Sequence, residues 1–159
     1  MKVKRSQVRS FVDMIVTFII VCSLFVGFRY CIRFPIVNGE SMQPTYQNED
    51  RLAVLYTKDL SVNDIAVIWS QNLNEYIVKR VVGIPGDTIT IKDNALYRND
   101  VRLLEFYIQD EYWKSTDMTV ELQEDQYFVL GDNRNNSTDS RSFGVILTTD
   151  IFGKVLFRM

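Results

Sequence analysis

The chain has 159 residues, 47% of them apolar and 13% aromatic, which suits one globular unit with a modest core and is too apolar for a disordered protein. It contains no histidine, so a Ser-His-Asp triad and every histidine-based metal site are excluded. The net charge of −2 is unevenly spread: residues 1–33 carry a surplus of +5 and residues 34–159 carry −7.

The basic start, Lys2, Lys4, Arg5 and Arg9, precedes FVDMIVTFIIVCSLFVGF (11–28), an apolar run broken only by Asp13. At about 1.5 Å per residue this run reaches roughly 27 Å as a helix, close to the ~30 Å hydrocarbon layer of a bilayer. It predicts a single transmembrane anchor over 11–30 behind a cytoplasmic basic segment, 1–10. The positive-inside bias then places residues 31–159 outside, as a single-pass protein of the cell membrane. A cleaved signal peptide would share the basic start and the apolar run. However, GFRYCIRF offers bulky and charged residues where a small-x-small cleavage site belongs. Cys22 and Cys31 would lie about 13 Å apart along a helix, too far to pair.

From Phe34 onward the apolar period changes from helical to alternating. RLAVLY (51–56), DIAVIW (64–69), EYIVKRVVG (75–83), TITIK (88–92), ALYR (95–98), VRLLE (101–105), YFVLG (127–131) and GKVLFR (153–158) read as short strands separated by turn residues. The fold class is therefore mainly β, an antiparallel domain behind one N-terminal helix. Residues 88–105 form a meander turning at Asp93-Asn94 and Asn99-Asp100. Residues 106–126 are acidic and aromatic without periodicity and read as a surface excursion.

Chemistry concentrates in three stretches. In NGESMQPTYQNED (38–50) the turn chemistry around Ser41 presents a hydroxyl rather than packing a core. With no histidine, lysine is the best-attested proton acceptor for such a serine. Five lysines follow Ser41, and only Lys79, in YIVKRVV, sits within an apolar strand. Alternation puts Ile77, Lys79 and Val81 on one face and Val78, Arg80 and Val82 on the other. An ordinary lysine, with a pKa near 10.4, is almost wholly protonated at neutral pH, so burial would have to lower it by about 3 units. The pattern alone leaves open whether Lys79 is buried or snorkels from a strand edge. The third stretch, GDNRNNSTDSRSFG (131–144), has more hydrogen-bonding capacity than a turn needs. It is no calcium loop, since Ser137 stands where glycine is required and Phe143 where glutamate is. GIPGD (83–87) lacks the glycine spacing of a dinucleotide fingerprint. The acidic outer part argues against nucleic acid as a partner.

Together GESMQPTY (39–46), NDIAVI (63–68), YIVKRVVGIPGD (76–87) and GDNRNNSTDSRSFG (131–144), in this order behind one apolar segment, resemble the type I signal peptidases, compact Gram-positive type. The resemblance implies a membrane-anchored Ser/Lys endopeptidase that needs no cofactor or metal and cuts secretory preproteins after small-x-small sites such as Ala-x-Ala. Ser41 would be the nucleophile and Lys79 the general base. Ser137 would orient the lysine amine, and Asp139 and Arg141 would brace the loop. Val37, Tyr46, Ile77 and Val78 would line the substrate pockets. Strand 75–79 would pair with the extended substrate, and the Ser41 N–H would serve the oxyanion. Gly39 departs from members that carry a hydroxyl there, which leaves the second oxyanion donor unassigned. The alternative implied by the same resemblance is an accessory or assembly factor for surface pili that binds pilin. A self-cleaving repressor-type Ser/Lys protein fits less well, because it would be cytoplasmic with a DNA-binding N-terminus.

Overall fold

The computed structural model describes residues 2–109 and 113–159, with backbone alone at 2–9, 25, 26, 28 and 30. The chain divides into two units that meet between Arg33 and Phe34. The first holds helix α1 (Lys2–Cys31) and the two-residue strand β1 (Ile32–Arg33). Among the described residues no helix is long and apolar enough to cross a membrane, so the span expected over 11–30 is not supported.

The second unit is built from strands β2 (Leu52–Leu55), β3 (Ile65–Ser70), β4 (Glu75–Gly83), β5 (Thr88–Lys92), β6 (Ala95–Arg98), β7 (Val101–Arg102), β8 (Met118–Glu121), β9 (Gln126–Leu130), β10 (Ile146–Leu147) and β11 (Ile151–Arg158). A one-turn helix α2 (Ser140–Phe143) and a 3-10 turn (Thr148–Asp150) interrupt the last part. Within this unit the larger sheet runs in the order β2-β11-β3-β4-β9-β10, and a smaller sheet runs β7-β6-β5-β8. Every pairing between these strands is antiparallel.

The meander forms as its turn residues predict. Lys92 pairs with Ala95 and Arg98 with Val101, which leaves two-residue loops at 93–94 and 99–100. All four loop residues have positive φ, between 50° and 64°. Asn and Asp tolerate that conformation at hairpin turns whose twist matches the flanking strands. The GIPGD stretch is structural: the Asp87 carboxylate accepts from Arg98 Nε (2.6 Å), Asn99 Nδ2 (2.8 Å) and Ile84 N (3.0 Å), tying the turn to β6.

The expectation for 106–126 needs correction where it is described. Met118–Glu121 is β8, paired with β5, and Trp113 is only 2% exposed in a cluster with Val82, Ile89, Ile91, Leu96, Leu122, Phe128 and Leu130. Residues 110–112 of this segment lie outside the described residues. Strand β4 is the organising element of the second unit. Ile77 and Val81 enter one cluster with Ile68 and Val129, Val78 packs on a second with Met42 and Leu52, and Val82 joins the Trp113 cluster. With three cores meeting on one strand, residues 79 and 80 are held among packed neighbours rather than at a frayed edge.

Candidate active site

Alternation along β4 turns Lys79 and Arg80 to opposite faces, and each finds a different fate. Lys79 is 4% exposed and points its amine at Ser41, with Nζ 2.5 Å from Oγ. Its cross-strand partner is Ala66, whose small side chain leaves room beside the lysine stem. Burial pulls the Lys79 pKa from 10.5 down to about 8, against opposing pulls from Asp139, Glu75 and Asp132. The snorkelling alternative is thereby removed. A buried amine with a pKa near neutrality, at hydrogen-bond distance from a hydroxyl, can take that hydroxyl's proton.

Ser41 sits in a turn closed by Gln43 N donating to Glu40 O (3.1 Å) and Tyr46 N to Met42 O (2.9 Å), and Met42, 1% exposed, pins the turn to the core. Gly39 has φ +99°, a conformation that an L-residue bearing a hydroxyl would adopt only under strain. This accounts for the glycine at that position.

The polar loop 131–144 packs around the pair. Asp139, fully buried, caps α2. It accepts from Arg141 Nε (2.8 Å) and Arg141 Nη2 (2.7 Å), and also from the Gly131 N–H (3.0 Å). Arg141 lies 5.6 Å from the centre of the Trp113 ring. Ser137 lines the same cleft as Ser41 and Lys79. Its Oγ is buried and, among the described residues, is the buried side-chain polar atom left without a hydrogen-bond partner. Ser137, Asp139 and Arg141 are thus brought to the pair, although the Ser137 hydroxyl does not reach the amine here.

A cleft of about 470 Å³ opens over the pair, walled by 35–42 on one side, 75–79 on another and 136–138 on a third. Val37, Ile77 and Val78 line it, but Tyr46 does not. Tyr46 packs, partly buried, against the Val37, Met42 and Leu52 cluster, and burial raises its pKa. Residues Ile65–Ser70 pair with β4 along one edge, while β9 pairs with β4 only from Arg80 onward, so Glu75–Lys79 presents a free edge to the cleft.

Two ion pairs were not visible in the sequence. Arg80 makes a bidentate bridge to Asp132, 2.8 Å and 2.6 Å, and a further bond to the Asn63 carbonyl (3.1 Å), beneath the Tyr107 ring at 3.9 Å. Thr45 Oγ1 donates to the same Asp132 (2.5 Å), joining the turn after Ser41 to the start of the loop. Arg134 holds Glu105 (2.9 Å and 2.5 Å) and donates to the Gly131 carbonyl (3.0 Å). The only sequence signal was charge within the loop motif; the partners lie 52 and 29 residues away.

Gly131 marks the closest approach. A Cβ there would fall 2.2 Å from Ser137 Oγ and 2.6 Å from the Ser41 carbonyl oxygen. Gly131→Ala is therefore expected to push the loop off Ser41, lowering stability by about 1–3 kcal/mol and peptide cleavage by about 10²-fold. Thermal melting beside a cleavage assay checks both; a variant within twofold of the parent in each would refute the packing argument.

Comparison with known proteins identifies the family. The family model described as signal peptidase, peptidase S26, matches residues 9–159. The chain is 36% identical to signal peptidase I of Bacillus amyloliquefaciens, over 98% of this chain and 91% of the relative. It is 33% identical to signal peptidase IB of Staphylococcus aureus (strain Mu50 / ATCC 700699), over 98% and 90%. The crystal structure of a signal peptidase I from Enterococcus faecalis V583 superposes with a TM-score of 0.55 at 32% identity, covering 62% of this chain and 97% of that one. The chain belongs to the S26 signal peptidase family and, within it, to the Gram-positive type I signal peptidases, which are serine endopeptidases.

Proposed function

We propose that this chain removes signal peptides from exported preproteins after small-x-small sites, with Ser41 as nucleophile and Lys79 as general base. The observation that carries the reading is the 2.5 Å contact between a buried lysine amine and a serine hydroxyl at the floor of an open cleft. The neutral Lys79 amine takes the Ser41 proton as Oγ attacks the scissile carbonyl. The resulting ammonium gives a proton to the leaving amine, and the neutral amine then activates the water that releases the acyl group. The ammonium formed in the first step needs acceptors, and the unpaired Ser137 hydroxyl in the same cleft would supply one by turning toward the amine. Asp139 and Arg141 keep that loop in place. The free edge of Glu75–Lys79 suits pairing with an extended peptide, and the aliphatic walls Val37, Ile77 and Val78 suit methyl-sized side chains.

The protein works at the membrane in this reading, with α1 holding the catalytic unit there, N-terminus inside. In support, α1 exposes Phe11, Phe18, Ile20 and Leu24, each at least 53% exposed, a surface that water does not favour. The unbroken apolar run is short, so the bilayer would thin around it.

The test is cleavage of a preprotein carrying Ala-x-Ala, with the product mapped by mass spectrometry and kcat/KM followed from pH 6 to 10. Because the base must be neutral, activity rises with pH through the Lys79 pKa of about 8. Between pH 6 and 8 the neutral fraction grows roughly fiftyfold, and it levels off above about pH 9. Cutting at another site, or an acid limb near 10.5, would refute the reading.

A further inference from the structure

The nucleophile turn is gripped from outside by one residue of the polar loop. Asn133 N donates to the Ser41 carbonyl (3.0 Å), and Asn133 Nδ2 donates to the Glu40 carbonyl (3.2 Å). These two carbonyls belong to the two peptide units that flank the Ser41 Cα. A single residue therefore fixes both planes, and with them the φ and ψ that aim Oγ and the Ser41 N–H. The side-chain amide orientation is forced, because only its nitrogen can donate to a carbonyl.

The consequence follows from peptide geometry. In a planar trans unit the C=O and N–H point in opposite directions. Drawing the Glu40 carbonyl toward Asn133 turns the Ser41 N–H away from the loop, and among the described residues that N–H has no acceptor. Gln43 N also holds the Glu40 carbonyl, from within the turn at 3.1 Å. That bond closes the turn, whereas the Asn133 bond fixes the turn against the loop that carries Ser137.

We propose that the Asn133 side chain is a positioning residue for the oxyanion site, aligning the Glu40–Ser41 peptide so that the Ser41 N–H meets the developing negative charge. This rests on the Ser41 nucleophile reading. The effect belongs to the transition state, since the charge that the N–H meets does not exist in the bound substrate.

The experiment compares Asn133→Ala and Asn133→Asp with the full-length parent and with Ser41→Ala. It measures kcat, KM and the pH profile, and also the affinities of two probes. One is a substrate-length peptide aldehyde, whose carbonyl is attacked by Ser41 Oγ to give a tetrahedral oxygen. The other is an uncleavable peptide of the same sequence. Asn133→Ala should lower kcat about tenfold with KM within about twofold. It should weaken the aldehyde by the same factor, leave the uncleavable peptide unchanged, and leave the acid limb and melting temperature in place. Asn133→Asp should be worse than Ala, because a carboxylate oxygen cannot donate and would face the Glu40 carbonyl. If it fails to fold, Asn133→Ala alone decides the matter. An unchanged kcat, or equal weakening of both probes, would overturn the proposal. Cleavage surviving in Ser41→Ala would instead sink the nucleophile assignment, and this inference with it.

Discussion

Lys79→Met is expected to lower peptide cleavage at least about 10³-fold while raising stability at neutral pH. The loss follows from the site: methionine fills much the same volume but cannot take a proton from Ser41 Oγ, 2.5 Å away. Lys79→Arg should be equally inactive although it keeps the charge, because a guanidinium cannot deprotonate in a protein. The gain follows from the pKa, which falls on folding from 10.5 to about 8. Below pH 8 the folded state must bury a charge that the unfolded chain solvates, a penalty of about 3 kcal/mol. The unfolded chain holds its proton up to about 10.5, so the penalty shrinks as pH rises from 8 to 10.5 and vanishes above. Denaturant titrations should show Lys79→Met ahead of the parent by up to about 3 kcal/mol at pH 7 and level with it near pH 11. A variant that is inactive and also less stable at pH 7 would mean that Lys79 is a structural cation rather than a buried base.

Asp132→Ala should be the most destabilising single change in the second unit, at about 3–5 kcal/mol. The carboxylate is fully buried beneath Arg80, which it binds through both oxygens, and Thr45 bonds to it as well. Removing it strands a guanidinium that is 8% exposed and stacked on Tyr107, with the Asn63 carbonyl as its remaining strong acceptor. The pair itself need not stabilise the fold, since two charges give up hydration to meet. Replacing both, as Arg80→Met with Asp132→Leu, should recover more than half of the loss, and urea melts of the two singles and the double measure the coupling. Additive losses would show that the two side chains act independently. Because Thr45 lies four residues after Ser41, activity should fall with stability in Asp132→Ala more than in surface variants of equal stability.

Much of this site could be read before any coordinates existed, and the reasons are local. Alternation in YIVKRVV separated Lys79 from Arg80, and turn residues with positive φ placed the meander. The absence of histidine left lysine as the best-attested base for Ser41. What failed depended on distant partners. Arg80 and Arg134 looked like strand and loop cations until Asp132 and Glu105 met them. Trp113 sat in an acidic, aperiodic stretch, yet it plugs the core beneath the smaller sheet, and β8 was hidden because its pairing with β5 leaves only intermediate and exposed positions. Tyr46 was placed in the cleft wall by resemblance, but the turn after Pro44 directs it into the Met42 cluster.

The most direct test is a titration of the Lys79 amine itself, by NMR of lysine labelled at the ε-carbon, assigned by comparison with Lys79→Met. A midpoint at about 8, coinciding with the acid limb of kcat/KM, is the predicted result. A midpoint near 10.5, with activity already constant below pH 8, would mean that Lys79 remains an ammonium during catalysis and that another group activates Ser41.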